Sequence, residues 1–242
     1  MKTLNQYIKE KLIINKDYRE AKIVVKSFIE LRKIIKDRYD KFGPGTKQDP
    51  IDFNDIDVSN IDSFCKKYKY TNIGIFEGTK FKYIDISSWD VSNVKSMNSM
   101  FFYCEELKSV GDISEWDVSN VTDMQYMFCK VVNFNQDISG WDVSSVTNMA
   151  RMFFDCESFN QNISNWNVSS VHDMTGMFWG CKKFNQDISG WNVSKVTDMR
   201  YTFYKCKSFN QDISCWNVSN VNKKNGIFKE CAIEEKYKPK FK

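Results

Sequence analysis

Apolar positions recur along most of the chain in one fixed pattern. Tryptophans stand at 89, 116, 141, 166, 191 and 216, spaced by 27 and then by 25 residues. Counting from the tryptophan as position 0, apolar residues fall at 0, 2, 5, 8, 11, 12, 15, 18 and 22. Around each tryptophan the pattern I-x-x-W-x-V-x-x-V alternates at its core, which predicts a short strand with one buried face. Trp141 and Val143 then point inward and Asp142 outward. Val146, Met149, Met152, Phe153 and Cys156 follow at spacings of three and four, which predicts the inward stripe of a short helix, with Ser144 as its N-cap. Asn160-Gln161-Asn162 reads as the return turn, because Asn and Asp bond nearby backbone. A single coil of this kind cannot bury its apolar face. Stacked copies make a continuous core.

The repeat extends into weaker copies at both ends. Ile56–Tyr68 matches Trp89–Phe101, with Ile56 in the tryptophan slot. The last copy places Lys224 and Ile227 where its sisters carry methionine. End repeats are expected to deviate because they cap the stack. The organisation read from this pattern is an amphipathic leader over 1–15, a strand–helix cap over 16–50, a solenoid over 51–231 and a basic tail over 232–242. Within the solenoid, 51–83 is the degenerate coil and 84–231 the regular ones. In the cap, Lys22–Lys26 predicts a strand. Ser27 caps a helix from Phe28 to about Phe42, with Phe28, Leu31, Ile34, Ile35 and Tyr39 on one face. Gly43-Pro44-Gly45 ends it. In the leader, Leu4, Tyr7, Ile8 and Leu12 form one apolar stripe, the spacing of a helix that docks into a groove on a partner.

The motif I-x-x-W-x-V-x-x-V-T-x-M-x-x-M-F-x-x-C-x-x-F, repeated in register over roughly 51–231, resembles the leucine-rich repeats of the BspA-like bacterial surface proteins. It is most similar to the DUF285 repeats of mycoplasma lipoproteins. The resemblance implies an α/β fold: a right-handed solenoid with short parallel strands on a concave face and short helices on a convex one. It also implies adhesion or protein binding. The opening MKTLNQYIKEKLIINK is similar to leaders of gut-bacterial phage proteins.

Composition narrows the function classes. Hydrophobic residues make up 42% and aromatics 15% of the 242 residues, too many for a disordered chain. Mean hydropathy of −0.51 with no long apolar run argues against a membrane span. Lys2, Lys9, Glu10 and Lys11 interrupt the start, so it does not read as a secretory signal or lipobox, and the expected location is intracellular or inside a phage particle. Residues 1–47 carry 13 Lys/Arg against 6 Asp/Glu, but Glu10, Asp17, Glu20 and Glu30 break up the basic surface, which argues against nucleic acid as the main partner. Cys104, Cys156, Cys181, Cys206 and Cys231 share one repeat slot, with Cys129 two residues early. That register predicts a buried ladder of free thiols. Cys215, beside Trp216 on the outward side, is the expected reactive thiol.

Two further rows are candidate partner-binding surfaces. The first is the expected concave ladder Asp90, Asp117, Asp142, Asn167, Asn192 and Asn217, flanked by Ser92, Ser119, Ser144, Ser169, Ser194 and Ser219. Neighbouring carboxylates at the strand spacing of about 4.8 Å repel one another unless a cation, a basic partner or raised pKa values relieve them. The second is the expected convex row Phe102, Phe154, Trp179 and Tyr204. Positions 9 and 10 vary most between coils and read as free of packing duty. His172, the single histidine, takes a slot that is Thr in sister coils. No phosphate loop, nucleophile elbow, cofactor motif or metal-ligand spacing is present. The sequence thus reads as a non-enzymatic protein-interaction module needing no cofactor or metal. The alternatives are a structural or cargo component of a phage particle, directed by the leader, and a host-surface adhesin.

Overall fold

A computed structural model describes residues 22–68 and 71–241. The leader, with Leu4, Tyr7, Ile8 and Leu12, lies outside these residues. Among the described residues the fold is a mixed α/β one with one α-helix and a few short strands. These are β1 (Ile23–Val24), α1 (Phe28–Phe42), β2 (Ile51–Asp52), β3 (Ile56–Asp57), β4 (Cys65–Tyr68), β5 (Thr71–Gly74) and β6 (Ile84–Asp85). A 3₁₀ turn follows at Glu235–Tyr237.

The cap segment folds as its sequence suggests. The Ser27 side chain accepts the Glu30 amide at the start of α1, and Gly43 closes the end at φ 75°, a conformation glycine adopts without a Cβ penalty. Leu31 and Ile35 are buried. β1 pairs in parallel with β3 (Ile23 with Ile56), β2 in parallel with β6 (Ile51 with Ile84), and β4 antiparallel with β5. The strand of the cap is only two residues long, shorter than the five expected.

From residue 63 onward the chain is joined to itself at intervals of one repeat. Isolated parallel bridges link Ser63 to Ser96, Ser96 to Asp123, Asp123 to Asn148, Asn148 to Asp173, Asp173 to Asp198, and Asp198 to Lys223. The bridged residue sits at position 7. The W-x-V segment expected to be the strand forms none: Trp141, Asp142 and Val143 carry no ladder. Their alternation is still real, since Trp141 and Val143 are buried and Asp142 is exposed.

The expected helix over Val146–Cys156 is also absent, as is any helix in the repeats among the described residues. Overlapping β-turns take its place. The Met152 amide donates to the Met149 carbonyl at 3.2 Å, Phe154 to Arg151 at 3.2 Å, Cys156 to Phe153 at 3.0 Å and Phe159 to Cys156 at 3.1 Å. Val146 to Val143 and Trp141 to Ile138 complete the set. Apart from the Arg151–Phe154 turn, each begins and ends on an inward apolar residue, so the i, i+3 spacing is that of turn corners. Backbone angles exclude a helix outright. Position 10 has positive φ in Ser99, Tyr126, Arg151, Gly176, Tyr201 and Gly226, and position 14 in Tyr103, Lys130, Asp155, Gly180, Lys205 and Glu230. A right-handed helix cannot contain such residues. Ser144 accordingly caps nothing.

One continuous core runs through the coils. Phe76, Phe101, Phe128, Phe153, Phe178, Phe203 and Phe228 form a column of stacked rings with centroids 5.3–6.0 Å apart. Phe134, Phe159, Phe184 and Phe209 form a second. Polar ladders hold the rim. Each indole N–H of Trp141, Trp166, Trp191 and Trp216 donates to the isoleucine carbonyl of the preceding coil at 2.9–3.1 Å. Of the asparagines expected in a return turn, Asn162 does close one, accepting the Ser164 amide, whereas Asn160 bonds between coils: its amide donates to Asn135 Oδ1, as Asn185 does to Asn160 and Asn210 to Asn185.

The thiols of Cys104, Cys156, Cys181 and Cys206 donate to the Phe76, Phe128, Phe153 and Phe178 carbonyls at 2.9–3.0 Å. Burial raises all four thiol pKa values, that of Cys104 to about 12. Cys215 is the exposed thiol among the described cysteines.

Candidate interaction surface

The row one residue after each tryptophan is exposed, but its side chains are bonded within their own coil. Asp142 Oδ1 accepts the Ser144 amide at 3.0 Å, Asp117 the Ser119 amide at 3.1 Å and Asp90 the Ser92 amide at 3.1 Å. Asn167, Asn192 and Asn217 accept from Ser169, Ser194 and Ser219 in the same way. These are Asx turns, in which a short side chain replaces a backbone acceptor. They correct the expected electrostatics. Bonding from Ser119 and Ser144 holds the Asp117 and Asp142 carboxyls below the ordinary carboxylate range, and repulsion from Asp117 is only a minor opposing influence on Asp142. No raised pKa relieves Asp117 or Asp142. Asp137, Asn162, Asp187 and Asp212 make the same bond to Ser139, Ser164, Ser189 and Ser214. The alternation of Asp and Asn follows directly, since either side chain supplies the oxygen the turn needs.

The aromatic row is organised differently. Phe102, Phe154, Trp179 and Tyr204, at position 13, are all partly buried. Positions 10 and 14 lie beside them; the sequence pattern marks position 10 only as variable and does not single out position 14. Tyr126 and Tyr103 both pack on Phe102, at 5.3 Å and 4.5 Å. Further along, Phe154 stacks on Trp179 at 5.0 Å, and Trp179 meets Tyr204 at 4.2 Å and Tyr201 at 5.1 Å.

Cations cover the rings. The Lys130 ammonium lies 4.8 Å from the Tyr103 centroid, the Arg151 guanidinium 5.4 Å from Tyr126, and the Lys205 ammonium 5.2 Å from Tyr204. Arg151 also donates to the Tyr126 hydroxyl. Such contacts are worth about 0.5–1 kcal/mol each at exposed sites. Tyr204 donates to the Glu230 carboxylate at 2.9 Å, which raises the phenol pKa.

Two glycines let the strip close up. A Cβ on Gly176 would come within 3.3 Å of Arg151 Cγ and 3.8 Å of both Phe154 and Trp179. A Cβ on Gly180 would stand 2.2 Å from Asp155 Oδ1. Asp155 is half-buried, and burial pushes its carboxyl pKa up against the pull of Lys130. Tyr103 and Tyr201 remain the most exposed aromatics of the strip, at 45% and 36%.

The structure therefore joins the position-13 row to positions 10 and 14 and keeps it apart from the tryptophan-side ladder. The variability of position 10 was a signal for its part in the strip. Position 9 is not free of packing duty: Asn98 and Ala150 are buried there. His172 is exposed. No group of three or more His, Cys, Asp or Glu among the described residues could hold a metal ion. No helix among them is long and apolar enough to cross a membrane.

The coil recurs in the sequence at spacings of 27 and 25 residues and carries both exposed rows. The model of one family, described as "Mycoplasma protein of unknown function, DUF285", matches residues 70–175 and 139–238. Together these matches span more than half of the chain, and the protein belongs to that family. The match gives nothing for the N-terminal leader. No curated protein and no solved structure matches the chain.

Proposed function

We propose that the bridged coils form a solenoid of the leucine-rich-repeat type that acts as a non-enzymatic protein-interaction module, with the aromatic–cationic strip as its contact face. The observation that carries this reading is a difference between the two exposed rows. Side chains of the tryptophan-side ladder are committed to Asx turns, so their identity is explained by the coil itself. Residues of the strip vary from coil to coil and set no turn through their side chains, yet they cluster tyrosine, tryptophan and arginine, the residues that dominate interface hot spots. Tyr103 and Tyr201 offer two anchors, and Lys130, Arg151 and Lys205 give the strip a cationic rim.

A site-specific photo-crosslinker tests it. Placed at Tyr201 in cells of the source, it is expected to trap a defined protein, and the same reagent at Asn192 is expected not to. Replacing Tyr103 and Trp179 with serine, with a crosslinker retained at Lys205, should remove that product. Equal trapping from both rows, or from neither, would refute the assignment of this face.

A further inference from the structure

We propose that the C-terminal end of the stack binds the carboxylates of an acidic, extended protein segment through a row of backbone N–H groups at Gly226, Phe228 and Glu230. The inference does not depend on the aromatic strip.

It follows from the direction of the hydrogen bonds between coils. At position 8 the Met97 amide donates to the Asp123 carbonyl, Met124 to Asn148, Met149 to Asp173, Met174 to Asp198 and Met199 to Lys223. The carbonyl that accepts and the amide that donates onward belong to the same peptide unit, so the peptides line up head to tail. Three more columns do the same. Position 10 runs from the Ser99 amide to the Asn225 carbonyl, position 12 from Phe101 to Ile227 and position 14 from Tyr103 to Lys229, all with N···O of 2.6–3.0 Å. In all four columns every N–H points toward the C-terminal coil. Two further rows run the other way: position 6, from Thr122 to Lys95 through Asn222 to Thr197, and a shorter one at position 17, where the Ser158 amide donates to Val132 and Lys183 to Glu157. Aligned peptide dipoles sum as they do in a helix, leaving positive partial charge where the N–H groups end.

The two ends are finished differently. At the N-terminal end the carbonyls of Ser96, Met100 and Phe102 accept from the amides of Phe64, Phe76 and Gly78, and Arg32 donates to the Gly74 carbonyl. At the C-terminal end no described residue accepts from Gly226, Phe228 or Glu230. Gly226 and Phe228 are partly exposed and Glu230 is exposed.

This edge offers donors alone. The carbonyls between them either point back to the preceding coil, as at Asn225 and Ile227, or close turns, as at Gly226 and Phe228. An ordinary β-strand would bring its own N–H groups against it, because a strand edge alternates donor and acceptor. The complement of a donor-only edge is an acceptor-only group, and an ionised carboxylate is one. The donors are spread along five residues of chain rather than converging, so they suit a row of carboxylates better than one ion.

Charge at this end points independently the same way. Residues 223–242 hold seven lysines against three glutamates. Lys223 stands where earlier coils carry Asp123, Asn148, Asp173 and Asp198, and Lys224 where they carry buried methionine. The tail adds to the surface: the Lys238 ammonium lies 5.7 Å from the Phe228 ring, and Lys240 is exposed. Glu230, Glu234 and Glu235 moderate the cationic surplus, which favours a few carboxylates over the dense charge of a polyphosphate.

Amide chemical shifts of the full isotope-labelled chain, titrated with a hexaglutamate peptide, test the proposal. Saturable shifts at the Gly226, Phe228 and Glu230 amides are expected, weakened at least tenfold in Lys229→Gln/Lys240→Gln. Shifts scattered over basic residues elsewhere, or no saturation, would overturn it. So would inorganic phosphate producing the same shifts at equal or lower concentration, which would make the end an ion site.

Discussion

Six tryptophans fill equivalent slots, and one of them lacks the bond its sisters make. The Trp116 indole N–H is buried without a hydrogen-bond partner. Trp166, in the same slot two coils on, donates to the Ile138 carbonyl at 3.1 Å. The cause is the coil before Trp116, which is two residues longer than the four regular coils that follow and breaks the register that brings an isoleucine carbonyl under the indole. Trp→Phe at each site removes the same atoms from nearly the same packing, since both side chains are about 95% buried. The packing loss therefore cancels in the comparison. At Trp166 the change also removes a hydrogen bond worth about 1 kcal/mol net, whereas at Trp116 it relieves an unsatisfied donor costing about 1–3 kcal/mol. Trp166→Phe should thus be less stable than Trp116→Phe by about 2–4 kcal/mol, or roughly 5–15 °C in Tm for a chain of this size. Calorimetry of both variants measures the difference. Equal losses would show that the Trp116 N–H is satisfied after all, and the register argument would fail.

Other outcomes follow from the same coil. Trp166→Ala should cost about 3–5 kcal/mol in chemical unfolding, as large aromatic truncations do. Asp142→Ala should cost about 1 kcal/mol for its Asx bond, and Asp142→Asn almost nothing, because the amide oxygen replaces the carboxylate. Under native conditions a thiol reagent should consume Cys215 first and leave Cys104, Cys156, Cys181 and Cys206 unreacted until unfolding. Asp198 responds to acid. Burial pushes its carboxyl up, but bonding to Arg200 outweighs this and holds it at about 2. A depressed native pKa gives stability that is present above the unfolded value of 3.8 and lost as pH falls toward 2, so Tm should drop across that window and Asp198→Asn should flatten the drop. Asp155 has the opposite sign. Its raised pKa means the folded state disfavours the charged form, so Asp155→Asn should raise Tm at pH 7 and leave it unchanged at pH 3.

The period, the inward residues and the thiol ladder were legible in the sequence because burial imposes them directly. Trp141, Val143, Met149, Phe153 and Cys156 point inward whatever the backbone does between them. The cap helix was legible for another reason: Ser27 and Gly43 are local stop signals whose chemistry needs no tertiary context. The secondary structure of the repeat was not legible, and the failure has one cause. Residues three apart share a face on a helix, and they also share a face when each pair forms the two corners of a β-turn. Val146, Met149 and Met152 satisfy both descriptions equally.

What separates the two is the residue between the corners. A helix needs negative φ at every position, whereas these turns need positive φ at positions 10 and 14. The sequence carries that requirement faintly, as Gly176, Gly180 and Gly226 falling in those two slots of two coils. Six of the seven non-glycine residues that share these slots from Tyr126 to Glu230 are not Asn or Asp, the side chains that tolerate the conformation best. Tyr126, Arg151 and Tyr201 are held there by the inter-coil bonds of their own amides, donated to Ala150, Thr175 and Asn225. The strain is thus balanced by hydrogen bonds to a neighbour 24 residues away, which no local reading can see. The same bonds aim positions 10 and 14 outward beside position 13. The aromatic–cationic strip was hidden for the same reason as the turns: a helix assigned to those residues would have spread them around its circumference.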